Sequence, residues 1–115
     1  MPFTTTEGER FSIIRVDGPL DAAAAALLKA ELSRLAQQGA TRMLLDLSGC
    51  PAADPTGLSA LLVGHRLCRG AKGRFVVCGV AGDLARMLTL VQLDSVLCVA
   101  ADLAAAQRAL EGDQG

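Results

Sequence analysis

Apolar and polar positions follow two different patterns along this chain of 115 residues. Short runs rich in β-branched and other apolar residues predict strands, and longer segments rich in Ala, Leu and Lys predict helices. The predicted strands lie at 3–6, 10–16, 42–48, 74–80 and 95–100. The predicted helices lie at 22–39, 56–70, 82–93 and 101–112.

After the first two strands, helices and strands alternate strictly, which favours an α/β fold with parallel strands covered by helices. The runs "MLL", "FVVCGV" and "VLCV" are typical of central parallel strands that are buried on both faces. We therefore expect a single domain spanning residues 1–115. It should contain a mixed, mostly parallel β-sheet of about four or five strands with about four helices.

The starts of two helices carry clear capping signals. Asp21 is a suitable N-cap for the first helix. In "DPTG", residues 54–57, Asp54 is predicted to cap the second helix, with Pro55 in its first turn. Gly57 is about 1 kcal/mol less favourable than Ala in a helix, which makes sense if another backbone segment approaches closely. Thr56 lies where the helix dipole and free N–H groups would favour an added phosphate.

Composition excludes several classes of function. The net charge is −1 and aromatic residues make up 3%, which argues against a nucleic-acid partner. The first residues lack the pattern of a signal peptide, and no apolar run approaches the roughly 20 residues of a membrane helix. We therefore expect a cytoplasmic protein without membrane insertion. The cysteines are widely spaced, which favours reduced, buried thiols; they are Cys50, Cys68, Cys78 and Cys98.

Catalytic and cofactor motifs are missing from the sequence. His65 is the single histidine, and although Cys68 follows on the same helix face, nothing in the sequence orients the pair for nucleophilic chemistry. One histidine with scattered thiols does not indicate a metal site, and no glycine-rich nucleotide motif is present. We expect no enzymatic activity, cofactor or metal. The basic stretch at 65–74 is explained by the dipole at a helix C-terminus.

Three segments carry a resemblance to a known family: "GPLDAAAAALL" at 18–28, "MLLDLSGCPAADPTGLSALL" at 43–62, and "GRFVVCGVAGDLARMLTLVQLDSVLCV" at 73–99. The middle segment is the most specific. Together they resemble the STAS domain of bacterial anti-sigma factor antagonists, over about residues 11–110. The resemblance implies the STAS fold, a mixed sheet with helices packed mainly on one side.

The same resemblance implies a protein-binding switch. The partner would be an anti-sigma factor with a histidine-kinase-like serine/threonine kinase fold, which phosphorylates Thr56 and so turns the antagonist off. A PP2C-type phosphatase would restore the active form, and transcription would be regulated indirectly. The chain would be a monomer or weak dimer. Residues matching the family's contact region are Asp21, Asp54, Pro55, Thr56, Gly57, Leu58 and Ser59.

The chain departs from the family pattern beside the acceptor position. Pro55 stands where the family usually has a first serine, and small residues occupy 50–53 in place of bulkier ones. These differences keep a second interpretation open. In that interpretation the chain is a STAS scaffold subunit of a phospholipid-transport ABC complex and binds its ATPase.

Overall fold

A computed structural model describes residues 3–8 and 10–111 of the chain. Its strands are β1 (Phe3–Glu7), β2 (Ser12–Asp17), β3 (Arg42–Gly49), β4 (Arg74–Cys78) and β5 (Cys98–Ala100). Its helices are α1 (Ala22–Gln37), α2 (Pro55–Gly70), α3 (Gly82–Leu90) and α4 (Leu103–Glu111), with a short 3₁₀ turn at Leu93–Ser95. Gly112, the last residue of the fourth predicted helix, lies outside the described residues.

The five strands form one sheet in the order β1-β2-β3-β4-β5. β1 pairs with β2 in antiparallel orientation, and all other neighbours are parallel. The predicted α/β architecture with a mixed, mostly parallel sheet is therefore confirmed.

The helices divide unequally between the two faces of the sheet. On one face the side chains of Met43, Leu45 and Leu47 from β3 join the core formed with α1, α2 and α3. On the other face Leu44 packs in a smaller core with α4, whose members include Leu110. Successive side chains of a strand point to opposite faces, so the continuous apolar run of β3 serves both cores. Three of the four helices cover the same face, as expected.

Two expectations about the last third of the chain are wrong. β5 is an edge strand of three residues rather than a central one, and Val99 is 41% exposed. It pairs with β4 alone because it is the last strand in the sheet order, and the described residues contain no further strand to pair with it. The helix predicted at 82–93 ends at Leu90, because Gln92 adopts a left-handed backbone with φ 62° that a helix cannot continue through.

The helices α1 and α2 begin side by side. Leu20, which precedes α1, forms a parallel bridge with Ala53, which precedes α2. The Leu20 N–H donates to the Ala52 carbonyl over 2.9 Å, and the Asp54 N–H donates to the Leu20 carbonyl over 3.3 Å. These bonds hold the two helix N-termini together at the carboxyl edge of the parallel strands, where α/β proteins commonly place binding sites.

Candidate functional site

The first turn of α2 has the capping arrangement expected from its sequence. The Asp54 carboxylate accepts a hydrogen bond from the Gly57 N–H over 2.7 Å, and its carbonyl accepts one from Leu58 over 3.0 Å. Pro55 occupies the first helical position, where its missing N–H leaves no hydrogen bond unmade. The predicted N-cap is therefore confirmed, and the backbone of this turn is fixed by local bonds.

Gly57 is buried beneath the loop that leads into α1. A Cβ atom at this position would lie 1.9 Å from the Leu20 carbonyl oxygen, which is far inside van der Waals contact. The close backbone approach expected from this glycine therefore exists, and it comes from the same chain. Gly57 contributes to the site by bringing the loop before α1 against the first turn of α2.

Thr56 is exposed in the first turn of α2, between the buried Gly57 and the exposed Pro55. Its carbonyl accepts a hydrogen bond from the hydroxyl of the half-buried Ser59 over 2.5 Å. The unpaired N–H groups of a helix start and the helix dipole favour an anion at this end. A phosphate added to Thr56 would consequently be compatible with the folded chain.

Asp21 is brought to the same surface as the first turn of α2. Its carboxylate caps α1 by accepting from the Ala24 N–H over 2.9 Å, as the sequence predicted. Asp21 and Asp54 line a shared hollow of about 270 Å³, whose other lining residues are Pro19, Leu20, Ala52 and Ala53. The two capping carboxylates therefore give this surface a negative character.

A second hollow, of about 250 Å³, is lined by Pro55, Leu58, Ser59, Leu62, Val91 and Leu93, so it includes the residue that precedes Thr56. We call it the α2–α3 hollow. Leu58 is only 3% exposed and forms its floor. Sequence reasoning missed the contribution of Val91 and Leu93. The signal was weak, because both lie in an apolar run that also fits a longer helix.

Two of the cysteine thiols, those of Cys68 and Cys78, are unsuited to nucleophilic chemistry. Burial raises the pKa of the Cys68 thiol to about 11. Burial, reinforced by the carboxylates of Asp46 and Asp102, likewise raises the pKa of Cys78 to about 11. Both thiols are therefore protonated at neutral pH.

Residues 3–8 and 10–111 contain neither a cluster of metal ligands nor a membrane-spanning helix. In these ranges no three His, Cys, Asp or Glu residues cluster in a way that could hold a metal ion. None of the helices described is long and apolar enough to cross a membrane.

Comparison with known proteins shows the family. The STAS domain profile matches residues 3–106, so the chain belongs to the STAS domain family. A search of curated protein sequences returned no match.

Several solved structures share the fold. A protein from Thermotoga maritima described as an anti-sigma factor antagonist is 18% identical, with 95% of this chain and 94% of that chain covered and a TM-score of 0.88. The antagonist SpoIIAA in its unphosphorylated form is 20% identical, with 98% of each chain covered and a TM-score of 0.75. A sulfate transporter family protein from Wolinella succinogenes is also 20% identical, covering 92% and 88%, with a TM-score of 0.80.

Proposed function

We propose that this protein is an anti-sigma factor antagonist that binds its anti-sigma factor through the first turn of α2 and is turned off by phosphorylation of Thr56. The observation that carries the proposal is the exposed Thr56 in a turn whose backbone is held by the Asp54 cap and by Gly57. SpoIIAA, which shares the fold, has been solved in phosphorylated and unphosphorylated forms.

The switch follows from the chemistry of a kinase that is also the binding partner. A kinase transferring phosphate to Thr56 must hold the γ-phosphate of ATP in line with the acceptor hydroxyl. Phosphorylation adds a charge of roughly −1.5 to −2 at that point, which then faces the nucleotide phosphates of the partner. A repulsion of about 3 kcal/mol lowers affinity roughly a hundredfold, since each 1.4 kcal/mol is about tenfold.

Pro55 is compatible with this role. It removes one hydroxyl and one N–H relative to the family pattern, but at the first helical position that N–H has no intrahelical partner. The Asp54 cap and the helical backbone at Thr56 are intact in its presence. The Thr56 hydroxyl therefore keeps the helix-start environment that favours an added phosphate.

The partners and location are part of the same proposal. An exposed phosphothreonine is accessible to a PP2C-type phosphatase, which would return the protein to its binding form. Kinase, phosphatase, ATP and sigma factor meet in the bacterial cytoplasm, so we place the protein there. It acts as a monomer or weak dimer and regulates transcription indirectly. It does so without binding DNA and without enzymatic activity of its own.

Binding of the anti-sigma factor to Thr56 variants tests the proposal. Thr56→Glu should weaken binding by about a hundredfold because it places a negative charge at the contact. Thr56→Ala should bind nearly as the wild type and resist phosphorylation. Titration calorimetry measures the binding of both variants, with Thr6→Ala, an exposed threonine on the edge strand β1, as the control. Equal binding by Thr56→Glu and wild type would contradict the proposed role of Thr56.

A second candidate function is a transport-associated STAS subunit. The likeness to the Wolinella succinogenes sulfate transporter family protein favours it, as does the altered residue Pro55. In this case the partner would be the ATPase of an ABC complex, such as a phospholipid transporter. Cross-linking in cells followed by mass spectrometry separates the candidates: an anti-sigma factor supports the first, and a transport ATPase supports the second.

A further inference from the structure

A third hollow, of about 220 Å³, lies beside the C-terminal half of α2, at the other end of that helix from the proposed phosphorylation site. His65, Arg69 and Arg74 give it a basic side, and Phe75 and Val96 give it an apolar side. None of the described residues that line it is acidic. We propose that this basic hollow binds a phosphate monoester, with the phosphate group at the basic side and the organic group at the apolar side. The inference goes beyond the proposed function and does not depend on it.

The basic lining residues come from two different elements. Arg69 lies in the last turn of α2, where the helix dipole favours a cation. The dipole does not account for Arg74, which begins β4, or for the meeting of both arginines with His65 around one concavity. A guanidinium group recognises phosphate oxygens through paired N–H donors, and an imidazole donates an N–H in either protonation state. His65 and Arg69 therefore supply donors to the hollow, and Arg74 adds positive charge to its wall.

The backbone of β4 adds a donor on the same side. β5 pairs with β4 only from Cys98, opposite Val76, so in the described chain the start of β4 has no strand beside it there. The Arg74 N–H donates to the Thr41 carbonyl over 2.9 Å, on the β3 side. Successive N–H groups of a strand point in opposite directions, so the Phe75 N–H points toward the open side, where the hollow lies. Backbone N–H groups at the edge of a sheet form anion-binding concavities.

The negative end of the α2 dipole is offset beside this hollow. The N–H groups of Ala71, Lys72 and Gly73 donate to the last carbonyls of the helix, so these oxygens do not face an anion unpaired. Lys72 is exposed and has a left-handed backbone with φ 62°, which non-glycine residues rarely adopt. Glycine would adopt this conformation freely, so the lysine places a cation next to the hollow at a conformational cost.

The charges around the lining residues are mostly positive. Arg66 and Lys72 are exposed and lie next to lining residues, and the stretch 65–74 contains no Asp or Glu. Asp94 lies two positions before a lining residue, but its carboxylate already accepts a hydrogen bond from a hydroxyl of α3 over 3.3 Å. Glu111 ends α4, which packs on the other face of the sheet. Cations therefore outnumber carboxylates here, which matches a ligand with two negative charges.

The apolar side of the hollow distinguishes a phosphate monoester from the free phosphate ion. Val96 is 49% exposed, and it lies in the lining together with the buried ring of Phe75. An organic group attached to the phosphate would cover Val96 and remove apolar surface from water. Phosphate alone would leave this surface exposed, so the monoester should bind more tightly than the ion.

Titration of the ¹⁵N-labelled protein with phenyl phosphate, followed by NMR, tests the inference. The amide signals of Gly73, Phe75 and Cys98 should shift and reach saturation. Inorganic phosphate should shift the same signals with several-fold lower affinity, and equal affinity would overturn the assignment to a monoester. Benzoate has the same ring with a single negative charge, and it should also bind several-fold more weakly. Benzoate binding as tight as that of phenyl phosphate would overturn the assignment to a phosphate group.

A pair of variants that remove the same charge locates the site. Arg69→Gln should weaken phenyl phosphate binding by about tenfold or more, because a charged donor to the phosphate is lost. The matched control is Arg86→Gln, which removes an exposed cation of α3 that does not line the hollow and should bind as the wild type. Circular dichroism checks that both variants are folded.

The inference fails if no amide of the hollow shifts, or if Arg69→Gln binds as tightly as the wild type. An equal loss in Arg69→Gln and Arg86→Gln would also overturn it, because it would show attraction by net charge alone. The titration contains no anti-sigma factor, so these failures leave the proposed role of Thr56 standing. Failure of the Thr56 variants to alter anti-sigma factor binding would likewise leave the basic hollow in place.

Discussion

Both ends of α2 are anchored by a glycine packed against a backbone carbonyl. The two ends differ in the groups that they leave exposed. At the N-terminal end, Gly57 packs so closely against the Leu20 carbonyl that a Cβ atom would not fit. Just beyond the C-terminal end, a Cβ on Gly73 would lie 1.7 Å from the Thr41 carbonyl oxygen. Each end of the helix is therefore clamped by a glycine against a backbone carbonyl from another part of the chain.

The difference lies in what each end leaves available. The last carbonyls of α2 accept hydrogen bonds from the N–H groups of Ala71, Lys72 and Gly73, so that end is closed by backbone. Its basic side chains, such as Arg69, complement the dipole. The N-terminal end leaves Thr56 exposed beside an apolar hollow. The anchoring therefore belongs to the fold, and the function that we propose uses the exposed hydroxyl of Thr56.

The glycine clamps give the largest expected effects. Gly57→Ala and Gly73→Ala should each destabilise the protein by about 3 kcal/mol, because the new methyl group must displace a backbone carbonyl. Gly70→Ala is the control, since a Cβ there meets nothing within 4 Å, and it should change stability by less than about 1 kcal/mol. Urea unfolding measures all three. If Gly57→Ala or Gly73→Ala unfolds at the same urea concentration as the wild type, that glycine does not anchor its end of α2.

The N-cap gives the next effect. Asp54→Ala should lower the free energy of unfolding by about 1 kcal/mol, because the Gly57 N–H loses its acceptor. Asp54→Asn, which retains a capping oxygen, should recover most of the loss. If the Ala variant is as stable as the wild type by urea unfolding, the cap does not hold the first turn of α2.

Acid unfolding tests the ion pair between Glu31 and Arg34 on α1, which is remote from both ends of α2. On α1, hydrogen bonds from Arg34 and, less strongly, Thr5 lower the pKa of Glu31 to about 2. A lowered folded-state pKa contributes stability that is present above pH 4.5 and is lost as the pH falls toward 2. The contribution should be under about 1 kcal/mol because Arg34 is exposed. Glu31→Gln should flatten this part of the stability profile, and an unchanged profile would contradict the assignment.

The basic end of α2 gives the smallest effect. Arg69→Gln should change the free energy of unfolding by less than about 0.5 kcal/mol, because backbone N–H groups already satisfy the carbonyls beside it. It should also leave binding to the anti-sigma factor unchanged. A binding loss comparable to that of Thr56→Glu would show that the two ends do not differ in function as proposed.

The sequence predicts the parts of the site that depend on local chemistry. The caps at Asp21 and Asp54 follow from the preference of a carboxylate for the free N–H groups of a helix start. The glycine at 57 also indicates a close backbone contact. Its partner, Leu20, could not be identified, because the two residues meet only through the parallel bridge that joins the starts of α1 and α2.

Other features depend on tertiary contacts and cannot be predicted from the local sequence pattern. The composition of β5 matches that of a central strand, yet its edge position is set by the order of strands in the sheet. The apolar run through Val91 and Leu93 fits a continuing helix. The chain departs from the helix at Gln92, whose left-handed backbone a non-glycine residue rarely adopts, and Leu93 then lines the α2–α3 hollow beside Val91.

Phosphorylation of the purified protein tests the central claim most directly. The protein is incubated with its anti-sigma factor and ATP, and intact mass spectrometry with peptide mapping follows. The account predicts the mass of one phosphoryl group, located on Thr56 and absent from Thr56→Ala. An unmodified wild-type protein, or a phosphate located on Ser59 instead, would contradict it.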